Sequence, residues 1–349
     1  MVAASALLDR YGNAVDVIRK EGFDVDRRVY SILEGENLVT TAKSTGIGLS
    51  EMAGVINDLA PDIVVSVADR FETMATAVAA AYMNVPLAHV QGGEITGSID
   101  EKVRHAVTKL ADLHLVASDR AAERVIRMGE RPESVHVTGC PSIDVAKTAI
   151  SDPRIDGDLF EAYGGVGPPL DLGRDYIVVM QHPVSTEYAA SRAHIEETLH
   201  AVARLGLPTL WFWPNVDAGS DGTSKGIRVF REQHGLPRVH FFKNLPPEPF
   251  LRLVYNSLCI VGNSSVAIRE CSYLGVPAVN IGSRQTGRDR GRNVVDVDYD
   301  RDEIAAAIRR QASRGRLAPD LLYGDGCAGE RIAEVLKNAP LTIEKRLTY

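Results

Sequence analysis

A short apolar strand followed by a polar turn and a helix, within Leu258–Gly275, constrains the fold most strongly. Its first four residues are apolar, which is typical of a buried parallel strand. The strand ends at Gly262, and Ser264 and Ser265 precede Val266–Leu274, whose spacing predicts a helix. Such a turn directs backbone N–H groups and two hydroxyls at one point, at the positive end of the helix dipole, which suits phosphate. Taken alone, however, the pattern favours a simple serine N-cap.

The loop after the next predicted strand, Ala278–Ile281, favours an anion site. Within eleven positions this loop has three glycines and the arginines Arg284, Arg288, Arg290 and Arg292. Ligands of open α/β sheets bind outside the carboxyl ends of strands, so both loops are predicted to face one crevice. Arginines there can bind a diphosphate through forked hydrogen bonds. Glu270 lies one and a half turns into the predicted helix, where its carboxylate could reach neutral hydroxyls beside the anion.

Strand and helix patterns alternate along the rest of the chain. This alternation requires mostly parallel sheets with both faces covered. The rhythm breaks in Ser151–Gly173, which is rich in glycine, proline and acids and therefore predicts a domain boundary. We predict an α/β fold of two doubly wound Rossmann-like domains, 1–155 and 174–325, with an interdomain cleft. We expect a C-terminal helix and tail, 326–349, to pack back on the first domain.

Composition narrows the possible partners. The 349 residues are 45% apolar and 24% charged, with a formal net charge of −7, which argues against a nucleic-acid or anionic-membrane partner. The four cysteines are scattered without metal-ligand spacing, so we expect reduced packing residues in a cytoplasmic protein. No apolar run approaches the roughly 20 residues that a membrane helix needs.

Polar and ionisable side chains follow several predicted strands. They are Asp69, Arg70, His89, Glu94, Asp100, His182 and Asn215. Each one alone is more typical of a cap or a loop salt bridge, and Asp100 is a typical N-cap for the helix that begins at Glu101. Together they would suit proton transfer beside a leaving phosphate. Paired carboxylates in a partly dry cleft can have their pKa values driven apart, which supplies an acid and a base at neutral pH.

A set of short motifs, in order and similarly spaced from about Ala4 to about Lys337, resembles a known family. The motifs are His89-Val90-Gln91-Gly92-Gly93-Glu94, Gly97-Ser98-Ile99-Asp100-Glu101, Arg104-His105, Gln181-His182-Pro183, Pro214-Asn215-Val216-Asp217-Ala218-Gly219-Ser220, Gly262-Asn263-Ser264-Ser265, Arg269-Glu270 and Gly282-Ser283-Arg284-Gln285. They resemble the hydrolysing UDP-N-acetylglucosamine 2-epimerases, and more closely the branch that makes N-acetylmannosamine for sialic and related nonulosonic acids. The resemblance implies the GT-B-type glycosyltransferase fold, with UDP held mainly by the second domain.

The resemblance also implies roles for individual residues. The positions that match UDP-binding residues are His182, Asn215, Ser264, Ser265, Glu270 and Arg284. Glu270 would bind the ribose hydroxyls, while both serines and His182, which is also a catalytic candidate, would contact the diphosphate. Asp69 and Asp100 match the acid–base carboxylates. Arg70 matches a residue beside the leaving group, and we add His89 as a further candidate for substrate binding.

The family reaction eliminates UDP across C1–C2 to give a glycal and then hydrates it with inversion at C2. Free N-acetylmannosamine and UDP result. This chemistry needs a base at C2, an acid or cation for the leaving diphosphate, and a proton donor on the opposite face; it requires no metal and no cofactor. The implied partner is a UDP-sugar, and we expect a homo-oligomer, either a dimer or a tetramer.

Two departures from the family leave alternatives open. Gln91 occupies a position where some members have a catalytic glutamate, so either Glu94 takes over proton transfer or a different sugar is handled. The match begins at the family's second strand, so we expect the first βα unit, with its Gly-Thr-Arg-type turn, to be absent. Besides the epimerase, a glycosyltransferase of the same architecture and an inactive sugar-nucleotide binder remain open. The His–Asp–Glu set disfavours the glycosyltransferase, and Gln91 motivates the inactive binder.

Overall fold

Two large parallel sheets dominate a computed structural model that describes residues 2–8, 14–33, 38–67, 69–96, 99–155, 157–214 and 219–348. Each sheet belongs to its own unit of the chain. Unit 1 comprises Met1–Glu94, Ile99–Thr138 and Glu330–Tyr349, and unit 2 comprises Ile95–Ser98 and Gly139–Gly329. Among the helices within these described ranges, none is long and apolar enough to cross a membrane.

Unit 1 is built on a four-stranded parallel sheet. The strands of the whole unit are β1 (Val2–Ala3), β2 (Arg28–Val29), β3 (Val64–Val67), β4 (Leu87–Val90), β5 (Leu113–Val116) and β6 (Val135–Val137). Its helices are α1 (Ala14–Lys20), α2 (Leu38–Leu59), α3 (Phe71–Tyr82), α4 (Ile99–Leu110) and α5 (Asp119–Arg127). The sheet order is β3-β4-β5-β6, while β1 and β2 pair separately. Every residue of β4 and β5 is buried, as expected for strands covered on both faces.

The amino-terminal segment contains little strand. The strand β1 has two residues, and a 3₁₀ turn at Ala4–Leu7 follows it. At the other end of the chain, the last helix, α13 (Ala328–Asn338), packs apolar side chains such as Ile332 and Val335 against the sheet of unit 1.

Unit 2 has a six-stranded, wholly parallel sheet. Its strands are β7 (Ile177–Met180), β8 (Thr209–Phe212), β9 (Val239–Phe242), β10 (Ile260–Gly262), β11 (Ala278–Ile281) and β12 (Val294–Val297). Its helices are α6 (Pro141–Ser151), α7 (Leu159–Tyr163), α8 (Ser191–Leu205), α9 (Ser220–His234), α10 (Pro247–Asn256), α11 (Glu270–Leu274) and α12 (Arg301–Ala312). The order β12-β11-β10-β7-β8-β9 is that of a doubly wound sheet. The direction of winding reverses between β7 and β10, and the crevice at such a reversal is where ligands of this fold class bind.

Candidate functional site

The reversal point of the unit 2 sheet brings two predicted loops together. The strands β7 and β10 are hydrogen-bonded neighbours, and Gly262, with φ +131°, ends β10. A Cβ atom at this position would lie 2.1 Å from the carbonyl oxygen of Met180, so only glycine permits this approach. His182 follows β7, and Ser264 follows β10. Both residues therefore lie at the carboxyl end of the sheet, as the sequence predicts.

Asn263 joins these two loops. It is fully buried; its Oδ1 accepts a hydrogen bond from the His182 N–H at 2.7 Å, and its Nδ2 donates to the His182 carbonyl oxygen at 2.8 Å. The backbone oxygen of Asn263 accepts from Arg284 Nη1 at 3.3 Å and from Gln285 Nε2 at 2.9 Å. The loop after β11, which carries Arg284, thus meets the other two loops at one residue.

The His182 imidazole lies in an environment that favours its neutral form. Burial, followed by the positive charge of Arg284, lowers its pKa to about 3. A neutral imidazole can donate one hydrogen bond and accept another, depending on the tautomer. At neutral pH His182 can therefore act as a hydrogen-bonding group, while Arg284 supplies the positive charge.

The predicted helix Val266–Leu274 is wrong in its amino-terminal half. Ser265–Ala267 form a 3₁₀ turn, and α11 begins only at Glu270. The Ser264 hydroxyl accepts from the Val266 N–H at 3.4 Å, and the Ser265 hydroxyl accepts from Arg269 Nη2 at 3.2 Å. A turn and a five-residue helix provide a weaker dipole than one long helix. Local hydroxyl and N–H groups therefore carry any anion binding by this segment.

Glu270 is a buried carboxylate at the start of α11. It is 6% exposed, and its Oε2 lies 3.9 Å from Arg269 Nε without a hydrogen-bond partner among the described residues. A buried carboxylate oxygen without such a partner is uncommon because lost hydration is not replaced. This environment is typical of a group that receives a ligand's hydroxyls.

The arginines of the loop after β11 do not act as one cluster. Arg290 forms a forked pair with Asp296 on β12 at 2.7 and 2.9 Å, and Arg288 is buried with its Nε 3.4 Å from the Ile95 carbonyl oxygen. Arg292 is exposed. Arg284, another arginine of this loop, contacts the strand-reversal loops through the backbone oxygen of Asn263.

Unit 1 brings other predicted residues together around Arg104. This arginine is 2% exposed; its Nη2 pairs with Asp69 Oδ2, and its Nη1 donates to the Glu94 carbonyl oxygen at 3.0 Å. Asp69 lies just after β3, and Glu94 lies four residues after β4 with only 4% exposure. Arg104, on α4, thus connects the Asp69 carboxylate after β3 to the backbone of Glu94 after β4.

The turn between β4 and Glu94 has an unusual backbone. Gln91 has φ +68°, which is rare for a residue other than glycine, and its N–H donates to the Leu115 carbonyl oxygen at 2.9 Å. Gly93 has φ +74°, and a Cβ there would lie 2.3 Å from the Ala121 carbonyl oxygen. Such constrained turns often position functional side chains.

The remaining predicted residues have diverse positions. His89 is fully buried on β4, with Nδ1 3.1 Å from Thr108 Oγ1, which is a packing environment rather than an accessible one. Arg70 precedes α3 and has its Nε 3.4 Å from Glu72 Oε2. Asn215 and the side chain of Asp100 lie outside the described residues. Across the described ranges, no group of three or more histidine, cysteine or acidic side chains could hold a metal ion.

Sequence reasoning assigned no role to two residues that organise these sites, Arg104 and Asn263. Both belong to motifs quoted for the family resemblance, and that was the available signal. Arg104 pairs with Asp69, 35 positions away, and Asn263 bonds His182, 81 positions away, so local spacing could not have identified these contacts.

Comparison with known proteins identifies a family to which nearly the whole chain is similar. The family model described as UDP-N-acetylglucosamine 2-epimerase matches residues 6–337. The UDP-N,N'-diacetylbacillosamine 2-epimerase (hydrolyzing) of Legionella pneumophila is 32% identical, over 95% of this chain and 85% of its own length. The UDP-N-acetylglucosamine 2-epimerase of Neisseria meningitidis is 28% identical over 97% and 86%.

A solved structure shows the same fold. The Methanocaldococcus jannaschii UDP-GlcNAc 2-epimerase, in complex with UDP-GlcNAc and UDP, has a TM-score of 0.76 at 17% identity, covering 95% of this chain and 89% of that one. The predicted GT-B-type α/β fold is confirmed. With the family model matching nearly the whole chain, the protein belongs to the UDP-N-acetylglucosamine 2-epimerase family.

Proposed function

We propose that the protein is a hydrolysing 2-epimerase. It converts UDP-N-acetylglucosamine, or a closely related UDP-diacetamido sugar, to UDP and free N-acetylmannosamine or its relative. The observation that carries the proposal is the 32% identity to the hydrolyzing Legionella pneumophila enzyme over 95% of this chain and 85% of that enzyme. We further propose a cytoplasmic homo-oligomer; four free cysteines, three of them buried, are consistent with a reducing compartment.

Unit 2 binds UDP in this proposal. Arg284 and the neutral His182 bind the diphosphate together with the hydroxyls of Ser264 and Ser265. Glu270 binds the ribose hydroxyls, and its buried Oε2 without a hydrogen-bond partner in the described chain supports this role. Asn215, after β8, completes the set.

The carboxylates of unit 1 carry the proton transfers. A base removes the C2 proton, the C1–O bond breaks, and its electron pair leaves with the diphosphate of UDP. The resulting C1=C2 double bond is then hydrated, with hydroxyl added at C1 and a proton added at C2 from the opposite face. Asp69, Glu94 and Asp100 are the acid–base candidates, and Arg70 stabilises the leaving diphosphate.

Glu94 is the candidate that replaces a glutamate at position 91. The Gln91 amide does not ionise at neutral pH, so it can orient a substrate by hydrogen bonding but cannot act as a base. Glu94 is almost fully buried, and its backbone is fixed by Arg104. A positioned carboxylate of limited solvent access is suited to general acid–base catalysis.

The test is product identification by NMR. The protein is incubated separately with UDP-N-acetylglucosamine and with UDP-N,N'-diacetylbacillosamine, with and without a sugar acceptor. Free 2-epimerised sugar plus UDP is the expected result. An epimerised sugar that remains attached to UDP would indicate the non-hydrolysing reaction, transfer only to the acceptor would indicate a glycosyltransferase, and no turnover would indicate a sugar-nucleotide binder.

A further inference from the structure

We infer that Asn263 is the positioning residue of the diphosphate site: it fixes His182 and Arg284 relative to each other. This inference rests on the proposed function, because it presumes that both side chains bind a diphosphate. Asn263 itself is fully buried, so it acts through its neighbours rather than through contact with a ligand.

The side-chain amide of Asn263 forms a two-point contact with the backbone of His182. One amide atom accepts from the His182 N–H at 2.7 Å and the other donates to the His182 carbonyl oxygen at 2.8 Å. Two hydrogen bonds to the N–H and C=O of one residue restrict both its position and its rotation. The Asn263 N–H also donates to the Met180 carbonyl oxygen at 3.1 Å, at the end of the ladder between β10 and β7. The side-chain contacts to His182 extend this connection beyond the last residues of the two strands.

The backbone oxygen of Asn263 holds the third loop. It accepts from Arg284 Nη1 at 3.3 Å and from Gln285 Nε2 at 2.9 Å, and Gln285 is 2% exposed. Because the carbonyl and the amide belong to one residue, the position of Arg284 depends on the same anchor as that of His182. The lowered pKa of His182, to which the charge of Arg284 contributes, is consistent with their proximity.

The chemistry of the contact requires an asparagine. Its amide supplies one donor and one acceptor at a fixed separation, which matches a backbone N–H and C=O. Alanine would leave the N–H and the carbonyl oxygen of His182 without this partner, and a lost hydrogen bond that water does not fully replace weakens the arrangement. The substitution should therefore weaken diphosphate binding, because His182 and Arg284 lie on the loops that Asn263 connects.

The experiment compares UDP with uridine, which lacks the diphosphate. In Asn263→Ala we expect UDP affinity to fall about ten- to a hundredfold, while uridine affinity changes about twofold or less. Calorimetry measures UDP binding and NMR titration measures uridine binding. Thr198→Val is the matched control: it removes another buried hydrogen bond of the loop after β7, from Thr198 Oγ1 to Gln181 Oε1 at 2.6 Å, and should leave the UDP-to-uridine ratio unchanged.

A second variant keeps the test decisive if Asn263→Ala does not fold. Gln285→Met removes a donor to the Asn263 carbonyl oxygen without changing charge. It should lower the ratio of UDP affinity to uridine affinity by a smaller factor than Asn263→Ala does. Trp211 and Trp213, both in unit 2, report folding of each variant by fluorescence. An unchanged ratio in folded variants would overturn the inference alone, as would an equal change in Thr198→Val. Failure of the unaltered protein to bind UDP would overturn the proposed function as well.

Discussion

Replacing Glu130 with glutamine should destabilise unit 1. Glu130 is 3% exposed, and its carboxylate pairs with Lys109 on α4, with His114 Nε2 on β5 at 3.1 Å, and with Lys345 in the C-terminal tail. Lys345 also donates to the Ala111 carbonyl oxygen. One carboxylate therefore ties the tail to a helix and a strand, and a neutral amide would leave two ammonium groups without their counter-ion.

The magnitude follows from the pKa of Glu130. Burial alone raises it, but hydrogen bonds from His114, Lys109 and Lys345 outweigh burial and lower it from 4.5 to about 2. At about 1.4 kcal/mol per pH unit, the ionised form contributes about 3 kcal/mol to the unfolding free energy. Because the folded pKa is the lower one, this contribution is present above pH 4.5 and is lost as the pH falls toward 2. About 0.8 kcal/mol of it is lost by pH 4.

Hydrogen exchange resolved by peptide measures this effect in unit 1 alone. At pH 7 the opening free energy of amides in α4 and α5 should fall by about 3 kcal/mol in Glu130→Gln. At pH 4 the difference in opening free energy between Glu130→Gln and the unaltered protein should be smaller. Peptides of α8 in unit 2 should show no difference at either pH. Glu133→Gln is the matched control, since the Glu133 side chain is 72% exposed and should matter little. Unchanged protection in Glu130→Gln, or an equal loss in Glu133→Gln, would refute the reasoning.

Three further predictions concern the proposed site. Glu270→Ala should weaken UDP binding by about 1–3 kcal/mol in calorimetry, because a charged acceptor for the ribose hydroxyls is lost; undiminished affinity in a folded variant would contradict the assignment. Glu94→Gln should abolish turnover with UDP affinity nearly intact, and a fully active variant would show that this carboxylate is structural. His182 has a folded pKa lowered to about 3, so the unfolded state binds its proton first and stability falls as the pH drops below about 6.5. His182→Asn should flatten urea-unfolding stability between pH 6.5 and 4, and an equally steep profile would count against a neutral His182.

The strands and several helices could be predicted because short apolar runs bounded by proline or glycine have one favourable environment in an α/β chain. The strand β11 has the predicted bounds, Ala278–Ile281. The helix predicted after β10 was wrong in its first half because the spacing of apolar residues does not show whether polar side chains compete for the backbone hydrogen bonds of a helix. Hydroxyls that bind nearby backbone N–H groups favour turns over helix interiors, and the Ser264 contact to Val266 N–H is of this kind.

The arginine loop shows a second limit. A count of charges predicts an anion site, but Arg290 is paired with Asp296, which belongs to the adjacent strand β12. The central contacts of Asn263 and Arg104 likewise depend on strands that become neighbours only in the fold. The sequence thus indicates which loops lie at the carboxyl end of the sheet, whereas the pairing of charges and amides among those loops requires the structure.

Isotope labelling of the products tests the central claim most directly. The protein is incubated with UDP-N-acetylglucosamine, or with UDP-N,N'-diacetylbacillosamine if that is the sugar it turns over, once in D₂O and once in H₂¹⁸O. Elimination followed by hydration predicts a free 2-epimerised sugar with deuterium at C2, and UDP without ¹⁸O because the C1–O bond is the one that breaks. Product that retains the original hydrogen at C2, or UDP that contains ¹⁸O from attack at phosphorus, would contradict it.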